Sequence, residues 1–328
     1  MLLVPFSSKK AVTFWRQQFR SVQHTWTCAM IQATHKDCRA KALHADAAAA
    51  GVPAIITCGI YPGVSNVIAA HIAARSLGEA DKDGNYTEPS SDAPALSRLR
   101  YSYYTAGSGG VGNTLLVTSF MLTGEPVTAY KDGQKVVVEP LSQPTTIDFG
   151  PVVGRKGAYL WNLPEVASAH NCMGVPNVSA RFGTSPQVWN WVMWLMARLV
   201  PKDVLQDREA MSVLANISEP MIRLVDLFVG ETVAMRVDAE LEGGKAASGL
   251  FVHPKLSESV GACVGAFAQC MLRGDTKPGV WFPEEKGALR NRRDLLALAS
   301  EGCQVLVVNQ PPWVIEQEPK QLGLGIYM

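Results

Sequence analysis

The sequence predicts a mixed α/β (α+β) fold, a mixed β-sheet with helices packed on it, and three observations predict it. Strand-like and helix-like runs alternate along most of the chain. Two tight hairpins interrupt that alternation. The composition, 47% apolar and 18% charged over 328 residues, is that of a globular chain able to bury a sizeable core. Hairpins make neighbouring strands antiparallel, whereas strand–helix units favour parallel neighbours, so the two together imply a mixed sheet and not a purely doubly wound one.

The elements follow in order. Residues 40–50 read as a small-residue helix stopped by Gly51, and residues 53–58 as a β-rich run. After the loop 59–63, Ser65 or Asn66 can cap a helix that ends near residue 77. Residues 78–97 are polar and rich in Gly, Pro, Asp and Ser, as expected of a solvated surface insertion. A strand over 99–105, a glycine loop over 107–112 and a helix over 114–122 come next, with Gly124 as the stop. Strands 127–130 and 135–138 flank Asp132-Gly133, a turn dipeptide that accepts positive φ. A strand over 158–161, a short helix after Pro164, a strand over 177–182 and helices through 186–228 follow. A second hairpin, 232–241 and 248–252, turns at Gly243-Gly244 and precedes a long helix over 256–273, a helix after Lys286 and a strand over 305–308.

Charge and composition exclude several classes. Thirty Lys+Arg against 29 Asp+Glu, with no block of like charge, argue against nucleic acid as a partner. Seven scattered cysteines without a C-x-x-C pair suit reduced thiols in an intracellular compartment. The longest apolar helix candidate, 188–200, is too short to cross roughly 30 Å of hydrocarbon, so a soluble chain with no transmembrane segment is expected. Before Asp37 there is no acidic residue, while Lys9, Lys10, Arg16, Arg20 and Lys36 are basic. That pattern suits a targeting peptide for the chloroplast or another organelle, and equally an irregular leader or a misassembled gene start. His24, Cys28, His35, Cys38 and His44 are of zinc-ligating types, but no paired spacing repeats, and no metal is expected.

Gly107-Ser108-Gly109-Gly110-Val111-Gly112 matches G-x-G-x-x-G between a strand and a helix, and Asp132 lies downstream where a dinucleotide fold places its ribose-binding acid. Against that stands the turn: an Asp132-Gly133 hairpin sends the chain back antiparallel instead of across the sheet. Three readings stay open, a true fingerprint, a loop touching substrate or cofactor from a second domain, and a close-packing turn. Arg181, one of few charges in an apolar motif, can clamp a carboxylate or form a structural ion pair. His253 can act as acid or base or sit satisfied in the structure. Trp189, Trp191 and Trp194 suit core or dimer packing before membrane-surface docking.

The stretches AGVPAIITCGIYPGVSN (50–66), YSYYTAGSGGVGNTLL (101–116), IDFG (147–150), NLPEV (162–166), ARFGTSPQVWNW (180–191), GLFVHPKLSESVG (249–261), PGVWFPEE (278–285) and NQPPWVIEQEPKQLGLGIY (309–327) resemble the saccharopine dehydrogenase-like oxidoreductases, in particular their plant and algal branch. The resemblance implies NAD(P)-dependent hydride transfer at a carbon–nitrogen centre of an amino-acid-like substrate, and a homodimer. It implies a domain order in which 1–38 is a leader, 39–60 a remnant of the dinucleotide-binding Rossmann domain, and 61–328 a mixed α/β substrate and dimerisation domain. Most of the cofactor domain has no counterpart in residues 1–36, so tight NAD(P) binding by this chain alone is not expected. The loop bearing Gly59, Tyr61, Pro62 and Gly63 is implied to lie near the nicotinamide, the alternative being an ordinary β-to-α turn; Tyr103, Tyr104 and Ser108 flank the glycine loop and, with Arg181, are candidates to bind the substrate, the tyrosines being alternatively core aromatics. Two rival readings are a non-catalytic interaction protein that keeps the sheet and its dimer surface, and a dinucleotide enzyme using Gly107 to Gly112.

Overall fold

The structure, a computed structural model, describes residues 41–76, 95–107, 113–316, 321–322 and 326–327. The basic leader with His24, Cys28, His35 and Cys38, most of the polar insertion, and Ser108 with the rest of the glycine loop through Gly112 lie outside the described residues.

The chain begins with α1 (Lys41–Ala49), β1 (Pro53–Ile55), α2 (Val64–Ser76), β2 (Leu96–Ala106) and α3 (Asn113–Leu122). The hairpin β3 (Val127–Lys131) and β4 (Gln134–Val138) follows, then β5 (Thr145–Asp148), α4 (Gly150–Val153), β6 (Arg155–Leu160), α5 (Pro164–Met173) and β7 (Asn177–Ser185). Three helices, α6 (Gln187–Leu199), α7 (Lys202–Gln206) and α8 (Arg208–Val229), lead to the hairpin β8 (Thr232–Leu241) and β9 (Ala246–His253). The last elements are α9 (Leu256–Leu272), β10 (Gly279–Trp281), α10 (Arg292–Ala299), β11 (Val305–Gln310), α11 (Pro312–Ile315), β12 (Gln321–Leu322) and β13 (Ile326–Tyr327).

The mixed sheet expected from the sequence is the observed fold. Its strand order is β11-β9-β8-β2-β7-β3-β4, with β6 beside β7 and β5 beside β6. Within it β2 and β7 run parallel, from Arg98 opposite Asn177 to Ala106 opposite Ser185, and the other pairs are antiparallel. The outer edge of β7 is divided: β3 meets it at Val178 and β6 at Arg181 and Phe182. Gly183 permits the second junction, because a Cβ there would lie 2.1 Å from the Gly157 carbonyl oxygen.

Asp132 (φ 51°) and Gly133 (φ 76°) form the two-residue turn between β3 and β4, both in the left-handed region that such hairpins demand. Since β3 is antiparallel to β7, and β7 parallel to β2, the path β2-α3-β3 is not a parallel crossover unit. Asp132 therefore does not stand where a dinucleotide fold presents its ribose-binding acid. Strand β1 is shorter than the run 53–58 suggested, because Thr57 adopts φ 59° and ends it. It pairs in parallel with β10 and, with α1, closes a satellite core of Ala47, Val52, Ala54, Ile56 and Val280.

One face of the large sheet carries the main core, where Tyr101, Tyr103, Val178, Met235 and Phe251 meet Val64, Ile68, Ile72 and Phe267 of the covering helices. Helix α2 is buried from Val64 through Ala70 and again at Ile72, Ala73 and Ala74, which is why its sequence shows no polar stripe. The opposite face is polar around Arg98, Arg100 and Glu240 and is capped at one end by Phe149 and Ile315, which pack on Tyr104, Leu250 and Val252. Arg236, 5% exposed, pins that cap: its Nε donates to both Asp238 oxygens at 2.9 and 3.0 Å, Nη1 to the Asp148 carbonyl at 2.8 Å and Nη2 to Glu316 at 2.7 Å. Helices α3, α6, α7 and α8 share a further core around Phe120, Leu205, Met211 and Ala215. No helix among the described residues is long and apolar enough to cross a membrane.

Candidate functional site

The site is built on the loop 59–63. Its hydrogen bonds are all internal: Gly59 N–H donates to the Pro62 carbonyl, Val64 N–H to Gly59 and Ser65 N–H to Ile60, each at 3.0 Å. Helix α2 starts at Val64, earlier than expected, so Ser65 and Asn66 lie inside its first turn and neither is the N-cap; the Asn66 side chain instead accepts from the Gly63 N–H at 3.0 Å, the reciprocal half of a capping box. Gly63 sits at φ 144°, and a Cβ on it would stand 2.0 Å from the Gly59 carbonyl oxygen. Only glycine lets the loop close on itself there. The closure holds the cis Tyr61-Pro62 step so that the Tyr61 ring stacks on Tyr103, 4.5 Å between centroids, and lies 6.5 Å from Phe182.

Tyr61 faces a cavity of about 120 Å³ at the carboxyl ends of the parallel strands β2 and β7, the position at which ligands meet such strands. Thr105, Gly107, Thr184 and Ser185 come from those strand ends, Leu115, Ser119 and Phe120 from α3, Trp189 and Met193 from α6, Ile222 from α8, and Trp161 and Leu163 from the segment before α5. Among the described residues no charged side chain lines it. Among the described residues no partner hydrogen-bonds the Tyr61 hydroxyl or the buried Trp161 indole N–H, and the hydroxyls of Thr105, Ser119, Thr184 and Ser185 are the lining's other polar side-chain groups. Burial, and secondarily the Glu165 carboxyl, raise the Tyr61 pKa, which keeps the phenol neutral and able to donate.

Beneath Tyr61 lies a buried acidic cluster. The Tyr103 hydroxyl donates to Glu165 Oε1 at 2.8 Å, Asn66 Nδ2 donates to Ser168 Oγ at 3.2 Å, and Ser65 Oγ donates to Asn66 Oδ1 at 3.4 Å. Glu165 is fully buried and Glu284 is 3% exposed. Burial lifts both carboxyls to about 7, against the lowering influence of Tyr103 and Ser65 on the first and of Ser168 and Asn66 on the second. Although Ser168 and Asn66 stand close enough to bias Glu284, neither of its oxygens has a well-formed hydrogen bond, and Glu165 Oε2 also lacks one. Near neutral pH the pair is poised between protonation states, a property found where proton transfer is needed and also in some structural clusters. Neither acid stood out in the sequence. The signal available was an acid directly after a proline that follows an apolar residue, Leu163-Pro164-Glu165 and Phe282-Pro283-Glu284.

Of the residues singled out from the sequence, the structure brings together Gly59, Tyr61, Pro62, Gly63 and Tyr103. Tyr104 points to the other face, against Phe149 and under the Lys156 ammonium. Arg181 shares that opposite face, since Phe182 and Thr184 take the cavity side of β7. Its guanidinium reaches Ser179 Oγ at 3.4 Å, and burial, then the Arg100 charge, push its pKa down. Ser108 lies outside the described residues. His253 is buried, accepts from the Lys255 N–H at 3.0 Å and holds the turn into α9. His44 is tied to the Val280 backbone, and among the described residues no three His, Cys, Asp or Glu side chains cluster as metal ligands would.

Among the described residues, the N–H groups of Gly63, Val64, Ser65 and Val67 at the start of α2 are taken by Asn66 Oδ1 and by the Gly59, Ile60 and Gly63 carbonyls, so little of that helix terminus is left to cradle an anion.

No protein-family model matches the chain, and no curated protein matches it. Among solved structures, apo histidine-tagged saccharopine dehydrogenase (L-Glu forming) from Saccharomyces cerevisiae is similar over 80% of this chain and 74% of that one, with a TM-score of 0.46 and 10% sequence identity.

Proposed function

We propose that this chain provides the substrate side of a nicotinamide-dependent oxidoreductase of the saccharopine dehydrogenase-like kind, acting on a carbon–nitrogen or carbon–oxygen double bond or its reduced form. The observation that carries the reading is that Tyr61 and Trp161, whose hydroxyl and indole N–H have no hydrogen-bond partner among the described residues, both line a mainly apolar cavity. A polarised C=N or C=O group presents an acceptor heteroatom to such donors, and they stabilise the negative charge that develops there when its carbon is reduced. Tyr61 is the catalytic candidate because it faces the ligand. Tyr103 and Glu165 are positioning residues that fix the Tyr61 ring from below. An amino-acid-like ligand would place its reacting centre and neutral carbon frame in the cavity, with its charged ends outside, since no cation lines the wall. Most of the family's cofactor domain has no counterpart in residues 1–36, so NADPH is expected to bind this chain weakly at most.

Cyclohexanone, a neutral ketone, is the test probe, with saccharopine and NADPH as comparisons, and the reporters are the fluorescent rings of Trp161 and Trp189. The ketone is expected to change the emission saturably, and Tyr61→Phe, which keeps the stack on Tyr103, to weaken binding by roughly three- to tenfold, the worth of one hydrogen bond. Identical ketone affinity in Tyr61→Phe, or saturable binding of saccharopine alone, would show that the donors do not define the site.

A further inference from the structure

We infer that Arg98, Arg100 and Arg181 form a binding site for a small doubly charged oxyanion, phosphoryl or dicarboxylate, on the face of the sheet opposite the cavity. The inference does not depend on the proposed function, which uses the other face.

Strand register brings the three cations together. Arg98 and Arg100 point to one side of β2, and across the parallel pair Arg100 stands opposite Ser179 and Ser102 opposite Arg181. Arg100 and Arg181 are therefore diagonal neighbours on one face. Glu240 stands opposite Arg98 on β8 and serves two of the cations, accepting from Arg98 Nη1 at 2.8 Å and from Arg100 Nη2. Asp238, opposite Arg100 in the same register, is already held by Arg236 and Ser248. The cluster thus carries an excess of two positive charges, which a doubly charged anion matches.

Arg181 is the member that the fold leaves uncompensated. It is half-buried, its guanidinium has no carboxylate partner among the described residues, and its hydrogen bond to Ser179 Oγ is long at 3.4 Å. Burial lowers its pKa, and the charge that adds to the lowering is a second cation, Arg100. The Nε–H groups of Arg100 and Arg181 are both shielded from water and lack an acceptor. An arginine retained only for structure is better served by a carboxylate than by another arginine, and like charges repel more strongly in a partly dry setting than in bulk water. An oxyanion between the two guanidiniums replaces that repulsion with two attractions and presents acceptors in the planar, bidentate geometry that arginine recognises. The Arg98 and Arg100 side chains are 49% and 43% exposed, so a ligand can enter from solvent. Farther along the same face the Lys156 ammonium, 5.3 Å from the centre of the Tyr104 ring, extends the positive field.

The experiment is equilibrium dialysis of the purified chain with labelled inorganic phosphate and, separately, labelled succinate, at an ionic strength held constant with chloride. Saturable binding of one anion per chain is expected. Arg181→Gln should weaken it by roughly tenfold or more, the worth of a charged hydrogen bond, and Arg181→Lys by less. Gln also relieves the repulsion with Arg100, so in chloride alone Arg181→Gln is expected to melt no lower than the parent, an outcome that a structural ion-pairing role would not produce. Tighter binding of phosphate assigns the site to phosphoryl ligands, and tighter binding of succinate to dicarboxylates. Tyr61→Phe, on the other face, should bind either anion as the parent does, so this site and the cavity reading stand or fall separately. No saturable binding of either anion, affinity unchanged in Arg181→Gln, or a variant that melts well below the parent overturns the inference. So does a dimer that Arg181→Gln dissociates, which would assign the face to a second copy.

Discussion

Replacing Glu284 with Gln should stabilise this protein, and only at neutral and alkaline pH. Glu284 is 3% exposed, and its carboxyl, which titrates near 4.5 in the open chain, titrates at about 7 in the fold, chiefly because burial penalises its charge. A folded-state pKa above the unfolded one means that the folded chain holds the proton more tightly. The associated stability is fully present below about pH 4.5 and is lost as pH rises through about 7. The difference of about 2.5 units corresponds to about 3 kcal/mol at pH 8, where the side chain must be ionised inside the protein. Gln keeps the shape and cannot ionise, so Glu284→Gln should lack that penalty. Thermal melts of both proteins at pH 5 and pH 8 give the answer. Near-equal midpoints are expected at pH 5 and a gain on the order of 5 °C for the variant at pH 8. A variant that is no more stable than its parent at pH 8, or whose difference does not vary with pH, would refute the raised carboxyl. Glu165 titrates at about 7 beside it, so the double variant should gain less than the sum of the two single changes, because removing one charge relieves the other.

Gly63→Ala should destabilise by more than about 3 kcal/mol, because it sets a Cβ against the Gly59 carbonyl at a φ that side chains avoid; the denaturant midpoint measures it. Arg236→Met should cost about 3 kcal/mol by leaving the Asp238 carboxylate, still bonded to Ser248, without its cation, and should release the segment around Glu316, read as faster proteolysis after Pro311.

How far the sequence could be read follows from what each signal contains. Periodicity and turn chemistry placed most of the large sheet's strands and the longer helices to within a few residues, since both are local: Asp132-Gly133 specifies its own turn, and Gly51 its own helix stop, whereas the short strands β5 and β10 carry too few residues to show a period. Strand β1 was overestimated because nothing local announces that Thr57 takes a left-handed φ. The buried acids were invisible for another reason. Burial of Glu165 and Glu284 is created by α2, α5 and the β10 segment meeting in space, and an acid after a proline is equally consistent with a surface position.

The two adjacent candidates Tyr103 and Tyr104 mark the limit more sharply. A strand sends successive side chains to opposite faces, so both could not have served one site on β2. The same rule, carried through the parallel register in which Tyr103 faces Phe182 and Tyr104 faces Gly183, groups Tyr103, Thr105, Phe182 and Thr184 on one side, with Tyr104 and Arg181 on the other. That much depends on strand parity and on knowing that β7 follows β2. Which parity meets the cavity depends on where α2 lies, and α2, apolar nearly all round, carries no stripe that orients it. The loop 59–63 supplies the missing constraint: it enters α2 directly, so once Tyr61 stacks on Tyr103, the helix, the cavity and the acids beneath them all fall on the Tyr103 face.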